Sequence, residues 1–247
     1  KRVELEQFSN VRSNGLRALE LNGDDRLIGV AITDGEQQIM LFSNEGKAIR
    51  FAETDVRSMG RSAKGVRGMR VTIGASQVEE NEENDVDVED EDNSDSVVIS
   101  RIVSLVVVPE TGEVLCASEH GYGKRTPVDD FPTKKRGGKG VIALKTSERN
   151  GELIGAVSID ASKELMLISD GGTLVRTRAS EVAQTGRNAQ GVRLIRLSND
   201  ELLVGVVSVD AVEDEELEGI DVVENTVVEA ITSEEVSSEP KDDATEE

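Results

Sequence analysis

Tryptophan is absent from this chain, and four phenylalanines and one tyrosine bring the aromatics to only 2% of 247 residues. A core must then be aliphatic, which the 36% hydrophobic content allows. The same absence argues against protein-interaction propellers of the WD40 or kelch sort, whose blades carry a Trp-Asp pair or glycines with aromatics. The one cysteine, Cys116, rules out an internal disulfide framework and suits a reducing compartment. It lies in the apolar run Val114-Leu115-Cys116-Ala117 and reads as a buried structural thiol. No stretch of about 18 apolar residues is present, so no spanning helix and no membrane partner are expected. No basic-then-apolar leader opens the sequence. It starts at Lys1 rather than Met, and Arg2-Val3 already reads as strand, so a fragment of a longer protein is expected.

Bases are scarce against acids, for a net charge of −22, yet the imbalance is local. Residues 77–96 hold eleven acids and no base, and residues 211–247 hold fifteen acids and one lysine. The remainder holds 27 bases against 24 acids. Blocks this acidic and this poor in large apolar groups cannot offset the entropy of ordering. The expected organisation is a mildly basic folded domain over 1–210, a disordered insertion at 77–96 and a disordered tail over 211–247. A tethered acidic tail can compete with a polyanion for basic surface, in a manner screened by salt.

A repeat organises the folded part. Gly15-Leu-Arg-Ala-Leu-Glu-Leu21, Gly65-Val-Arg-Gly-Met-Arg-Val71, Gly140-Val-Ile-Ala-Leu-Lys-Thr146 and Gly191-Val-Arg-Leu-Ile-Arg-Leu197 align, with glycines 50, 75 and 51 residues apart. The long interval contains the acidic insertion. Each repeat adds an apolar strand: Leu27–Ile32, Ile102–Val107, Leu153–Ser158 and Leu203–Ser208. The first three add a strand, a glycine turn and a basic strand: Ile39–Arg50, Val114–Arg125 and Leu165–Arg176. Period-2 alternation dominates and helical periodicity is nearly absent. About four short strands per 50 residues predict an all-β, propeller-like fold with about four blades in view.

A basic loop precedes each repeat glycine from the second onward: Gly60-Arg-Ser-Ala-Lys-Gly65, Lys134-Lys-Arg-Gly-Gly-Lys-Gly140 and Gly186-Arg-Asn-Ala-Gln-Gly191. Glycine lets a backbone approach a bulky partner and present its N–H groups to an anion. Lysine and arginine add charge, and a phosphate polyanion fits both. The Lys134–Gly140 loop is not a Walker loop, since Val141 stands where a hydroxyl is needed. One such loop is an ordinary solvated turn; three at equivalent places form a row.

Lys134–Gly140 is similar to the glycine-rich basic box of the C-terminal domain found in the A subunit of DNA gyrase. Gly121–Thr126, Gly171–Thr177 and Gly186–Val192 also resemble repeats of that family, and the likeness covers about residues 1–210. The resemblance implies a β-pinwheel, whose blades share strands, and a basic rim on which double-stranded DNA is bent and wrapped. The DNA contacts it implies are Arg61, Lys64 and Arg67, then Lys134, Lys135, Arg136 and Lys139 with Gly137, Gly138 and Gly140, then Arg187 and Arg193. It further implies a bacterial, cytoplasmic, nucleoid-associated protein working with two B subunits and a second A subunit to supercoil DNA. ATP, Mg2+ and the DNA-cleaving tyrosine belong to parts outside this chain, which carries no cofactor and no catalysis of its own. The family's full box usually lies in the first blade, whereas here it falls in the third repeat. The related topoisomerase IV protein carries a more degenerate domain; the box-like loop and acidic tail favour gyrase.

Other reactive residue types have plainer readings. His120 and Tyr122 share a turn, where a structural role or, for Tyr122, a contact at the rim is expected. Asp129 and Asp130 are adjacent, so in an extended stretch they point apart. The alternating acids Asp85, Asp87, Glu89 and Glu91 lack the glycine and glutamate of a calcium loop, leaving at most weak divalent binding.

Overall fold

The computed structural model describes residues 1–71, 73–75, 97–198 and 200–211, with 73–75 and 97–99 described by backbone alone. The expected disorder at 77–96 and beyond Ala211 lies outside the described residues. Lys1–Ala211 forms one compact unit. Its described strands are β1 (Gln38–Ser43), β2 (Lys47–Ala52), β3 (Ile73–Ala75), β4 (Val97–Ile99), β5 (Ile102–Val108), β6 (Glu113–Ser118), β7 (Tyr122–Pro127), β8 (Val141–Ile142), β9 (Leu153–Ile159), β10 (Lys163–Ser169), β11 (Leu174–Arg178), β12 (Val192–Arg193) and β13 (Leu203–Asp210). The helical pieces among the described residues are short 3-10 turns, three of which directly follow β2, β7 and β11.

Each glycine turn closes a hairpin. Gly46, Gly121 and Gly172 adopt positive φ of 74°, 76° and 87°. Their N–H groups donate to the carbonyls of Ser43, Ser118 and Ser169. The hairpins β1–β2, β6–β7 and β10–β11 are the centres of three sheets, ordered β5-β1-β2-β8, β9-β6-β7-β12 and β13-β10-β11. A sheet is thus not one repeat. Its hairpin comes from one repeat, its inner strand from the next, and its short outer strand from the one after that.

This weave explains where the strand expectations part from the structure. Leu27–Ile32 is not a strand, and Leu27, Val30 and Ile32 are 62%, 87% and 77% exposed. Its counterparts β5, β9 and β13 pair with the hairpin of the preceding repeat, and within this chain none precedes Leu27. Among the described residues the four repeats accordingly give three such sheets, and β3 pairs with β4.

Strand alternation splits the core into layers. Met40, Phe42, Val106 and Val108 face Val114, Cys116 and Ala156 of the second sheet, with Phe131 and Leu144 closing the layer. Phe42 meets Phe131 edge to face, ring centres 6.4 Å apart. The opposite face of the second sheet places Leu115 and Ala117 against Leu165, Leu167 and Leu203 of the third. Each fully buried leucine contributes about 1.5–3 kcal/mol, so a core almost without aromatics suffices once sheets stack on both sides of β6.

Candidate nucleic-acid interface

The strands place the three basic loops in series. Thr133, just before the Lys134–Gly140 loop, bridges Arg50 of β2, and Gln184, just before the Gly186–Gly191 loop, bridges Arg125 of β7. Ser58, before the Gly60–Gly65 loop, bridges Arg2 in the same parallel sense. After each of the last two loops, the repeat glycine drops the chain onto the hairpin edge, where β8 pairs with β2 and β12 with β7. Gly140 and Gly191 sit there at φ of 83° and 86°, so close that a Cβ would lie 2.5 Å from the carbonyl oxygens of Ala48 and Gly123. Glycine is required at both places by space and by backbone conformation.

The loops are tied to one another as well as to the sheets. Gly137 N–H donates to Gly68 O, and Arg70 N–H to Gly138 O at 2.8 Å, so the segment leaving the first loop runs beside the second. Lys145 N–H donates to Ala189 O, and the buried Asn150 Nδ2 to the carbonyls of Lys145 and Gln190 at 2.9 and 3.1 Å. The segment leaving the second loop therefore runs beside the third. Arg61, Lys64, Arg67, Lys134, Lys135, Arg136, Lys139 and Arg187 all fall on this connected path.

Their side chains are not equivalent. Lys134, Lys135 and Lys139 are exposed and have no ion pair among the described residues. Arg67 is exposed too. Arg136 is half-buried and folds onto neighbouring backbone, donating to Asp55 O at 3.0 Å and Arg67 O at 2.9 Å. Arg187 donates to Ile142 O at 3.2 Å, Arg61 to Arg17 O at 3.4 Å, and Lys64 lies 3.8 Å from Glu20. Arg193 donates to the Tyr122 hydroxyl at 2.9 Å. Arg149 and Arg193 lie over the Tyr122 ring, 4.8 and 5.4 Å from its centre. The hydrogen bonds from Arg193 and Arg149 hold the phenol below its ordinary pKa. Tyr122 is thus a spacer between guanidinium groups.

Part of the basic character of the hairpins serves the fold. Arg50 bonds Gln38 and the carbonyls of Val128 and Phe131. Arg125 takes the same place in the second sheet, bonding Glu113 at 2.6 Å and Val182 O at 2.7 Å. Each arginine pins its sheet to the 3-10 turn that follows the next hairpin. Cys116 is fully buried and its thiol is pushed up to about 12 by desolvation, which fits its structural reading. His120 Nδ1 lies 3.2 Å from Arg149 O within the turn region.

Residues 1–34, 37–83, 112–160 and 163–210 match the family described as DNA gyrase C-terminal domain, beta-propeller. The chain belongs to that family. It is 49% identical to the DNA gyrase A protein of Haemophilus influenzae over 88% of this chain and 25% of that protein. For the gyrase A protein of Pseudomonas aeruginosa the figures are 51%, 83% and 20%. The chain thus spans a quarter or less of these relatives. A solved gyrase A C-terminal domain superposes with a TM-score of 0.64 at 26% identity, covering 79% of this chain and 58% of that one. The C-terminal domain of a DNA topoisomerase IV shares the fold at a TM-score of 0.69 and 21% identity, covering 84% and 58%.

Three basic residues on the same path escaped the sequence reading. Arg70, Lys145 and Arg196 are all exposed, and each stands five residues after a repeat glycine. The signal was present in the aligned segments as a basic residue recurring at one place; in the first repeat Glu20 stands there.

Proposed function

We propose that this chain binds double-stranded DNA through its phosphates along the series of basic loops and bends it, as the non-catalytic wrapping part of a gyrase A protein. The observation that carries this is the linkage of the three loops, which turns separate patches of charge into one continuous track. Contacts are to phosphate, so recognition depends on charge and on DNA deformability rather than on base edges. Lys134, Lys135 and Lys139 are the foremost contacts. Arg61, Lys64, Arg67, Arg187 and Arg193 extend the track on either side, and Arg136 with Gly137, Gly138 and Gly140 shapes it. In the intact protein, two B subunits and a second A subunit would supply ATP hydrolysis and DNA cleavage, in the bacterial cytoplasm at the nucleoid. A wrap of fixed hand would then bias strand passage toward negative supercoiling.

The test is the salt dependence of DNA binding. Each phosphate contact contributes about 0.9 to the slope of log K against log salt. Changing Lys134, Lys135 and Lys139 together to Ala is expected to lower that slope by about 2.7 while leaving the thermal transition in place. An unchanged slope would put DNA elsewhere on the surface.

A further inference from the structure

Two lysines lie beneath the basic loops rather than on them. Lys124 is fully buried in β7. Its Nζ donates to Gly186 O at 2.5 Å and Arg187 O at 2.6 Å. Under the first loop, Lys1 Nζ donates to the carbonyls of Gly60, Arg61 and Ala63 at 2.9, 2.5 and 3.0 Å. The two lysines hold equivalent places. Each precedes an arginine that bridges the chain entering its loop, Arg2 to Ser58 and Arg125 to Gln184. Met59 N–H donates to Arg2 O just as Thr185 N–H donates to Arg125 O. The accepting carbonyls are also equivalent, since both loops read Gly-Arg-x-Ala-x-Gly.

A buried ammonium is costly to keep, and desolvation lowers Lys124 to about 8. The sheet itself does not require it. At the corresponding place in β2 stands Ile49, beneath Gly138 of the remaining loop. What the lysines fix is the direction of the loop peptides. A trans peptide points its C=O and the following N–H in opposite directions, and no cis bond occurs among the described residues. With the carbonyls of Gly186 and Arg187 turned in to Lys124, the N–H groups of Arg187 and Asn188 are turned away from it. The same holds for Arg61 and Ser62 above Lys1. None of these four N–H groups is taken up by another described residue, and Ser62 and Asn188 are exposed. Successive N–H groups on one side of a turn form an anion-binding concavity, and neither loop contains a carboxylate.

We propose that Lys1 and Lys124 are positioning residues that hold the N–H groups of Arg61 and Ser62, and of Arg187 and Asn188, outward as two main-chain phosphate-binding nests. The proposal rests on the DNA-binding reading for its ligand but not for its geometry. Two probes therefore test it on the full chain by amide NMR: a short DNA duplex and inorganic phosphate. Both are expected to shift the amide resonances of Arg61, Ser62, Arg187 and Asn188. In Lys124→Ile, which copies the first sheet, the response of Arg187 and Asn188 is lost and DNA affinity falls about tenfold, as expected from losing one charge-assisted contact. Lys1→Ile does the same for Arg61 and Ser62 and decides the matter if Lys124→Ile does not fold. Asn188→Ala keeps the response of its own amide, because the contact is through the main chain. DNA binding with the four amides unmoved would overturn the proposal, as would equal responses in the lysine variants and the parent. Failure of the duplex to bind, with phosphate still shifting the four amides in the parent alone, would instead refute the DNA reading and keep the nests.

Discussion

The Lys134–Gly140 and Gly186–Gly191 loops occupy the same place in successive repeats and differ in what lies beneath them. The first is tied from outside its sheet: Arg136 bonds the carbonyls of Asp55 and Arg67, and Gly137 bonds Gly68. Apolar Ile49 lies beneath it, and Lys134, Lys135 and Lys139 remain exposed. The second has outside ties of the same kind, from Lys145 to Ala189, Asn150 to Gln190 and Arg187 to Ile142, but is also held from below by Lys124 and carries a single basic residue, Arg187. Where glycines let backbone and one arginine shape the turn, the lysines stay available to a partner. Where an interior lysine shapes the turn, the loop itself offers N–H groups. On the proposed reading, one fold would present two kinds of anion contact, lysine side chains and fixed main-chain dipoles.

The comparison breaks most severely at what the loops share. Gly140→Ala and Gly191→Ala combine positive φ with contact against hairpin backbone. Each is expected to cost about 2–3 kcal/mol and to lower Tm by roughly 4–12 °C. Gly186→Ala has open space and no positive φ, so calorimetry should find its Tm unchanged or slightly raised.

A pH titration of unfolding separates the two supports. The folded-state pKa of Lys124 is lowered by desolvation to about 8 from an ordinary 10.5, with Cys116, Arg187 and Asp130 as its charged or titratable neighbours. Between these values the unfolded chain binds the extra proton, so this group makes stability rise with pH across that window. The gain is complete above 10.5 and is lost as pH falls through about 8. Lys124→Ile should remove that part of the slope, while Arg136→Ala should leave it intact.

Arg136→Ala is expected to cost about 1 kcal/mol in denaturant titrations, the net worth of its carbonyl bonds. Arg187→Ala should cost less, since Arg187 makes a single 3.2 Å bond to Ile142 O. The smallest effect belongs to Lys64. With Glu20 only 3.8 Å away, Lys64→Ala should lower the salt slope of DNA binding by less than the ~0.9 of an unpaired contact.

The hairpins, their glycine turns and the row of basic loops were legible in the sequence, because each is a local pattern repeated at a fixed spacing. The weave was not legible. Nothing local in Val141-Ile142 says that it completes the sheet begun by Gln38, since that pairing is decided by packing across about two repeats. For the same reason Leu27–Ile32 carries a strand signal and forms none. In the sequence Lys124 and Arg125 are only the end of a basic strand, and tertiary packing shows one capping a loop from below and the other pinning a turn. Arg70, Lys145 and Arg196 were hidden for a different reason: their signal lay in a column, across repeats.

The weave also sets an order of events during synthesis. The β1–β2 hairpin can close as soon as Ala52 has emerged, yet its inner edge waits for β5 and its outer edge for Val141–Ile142. A growing chain therefore carries open strand edges, one repeat behind the next, and each is sealed only by sequence made later. Open edges recruit other chains. A pause in translation after Pro127 should leave β2 and β7 both uncovered, making such nascent chains more prone to associate than those released after Arg193.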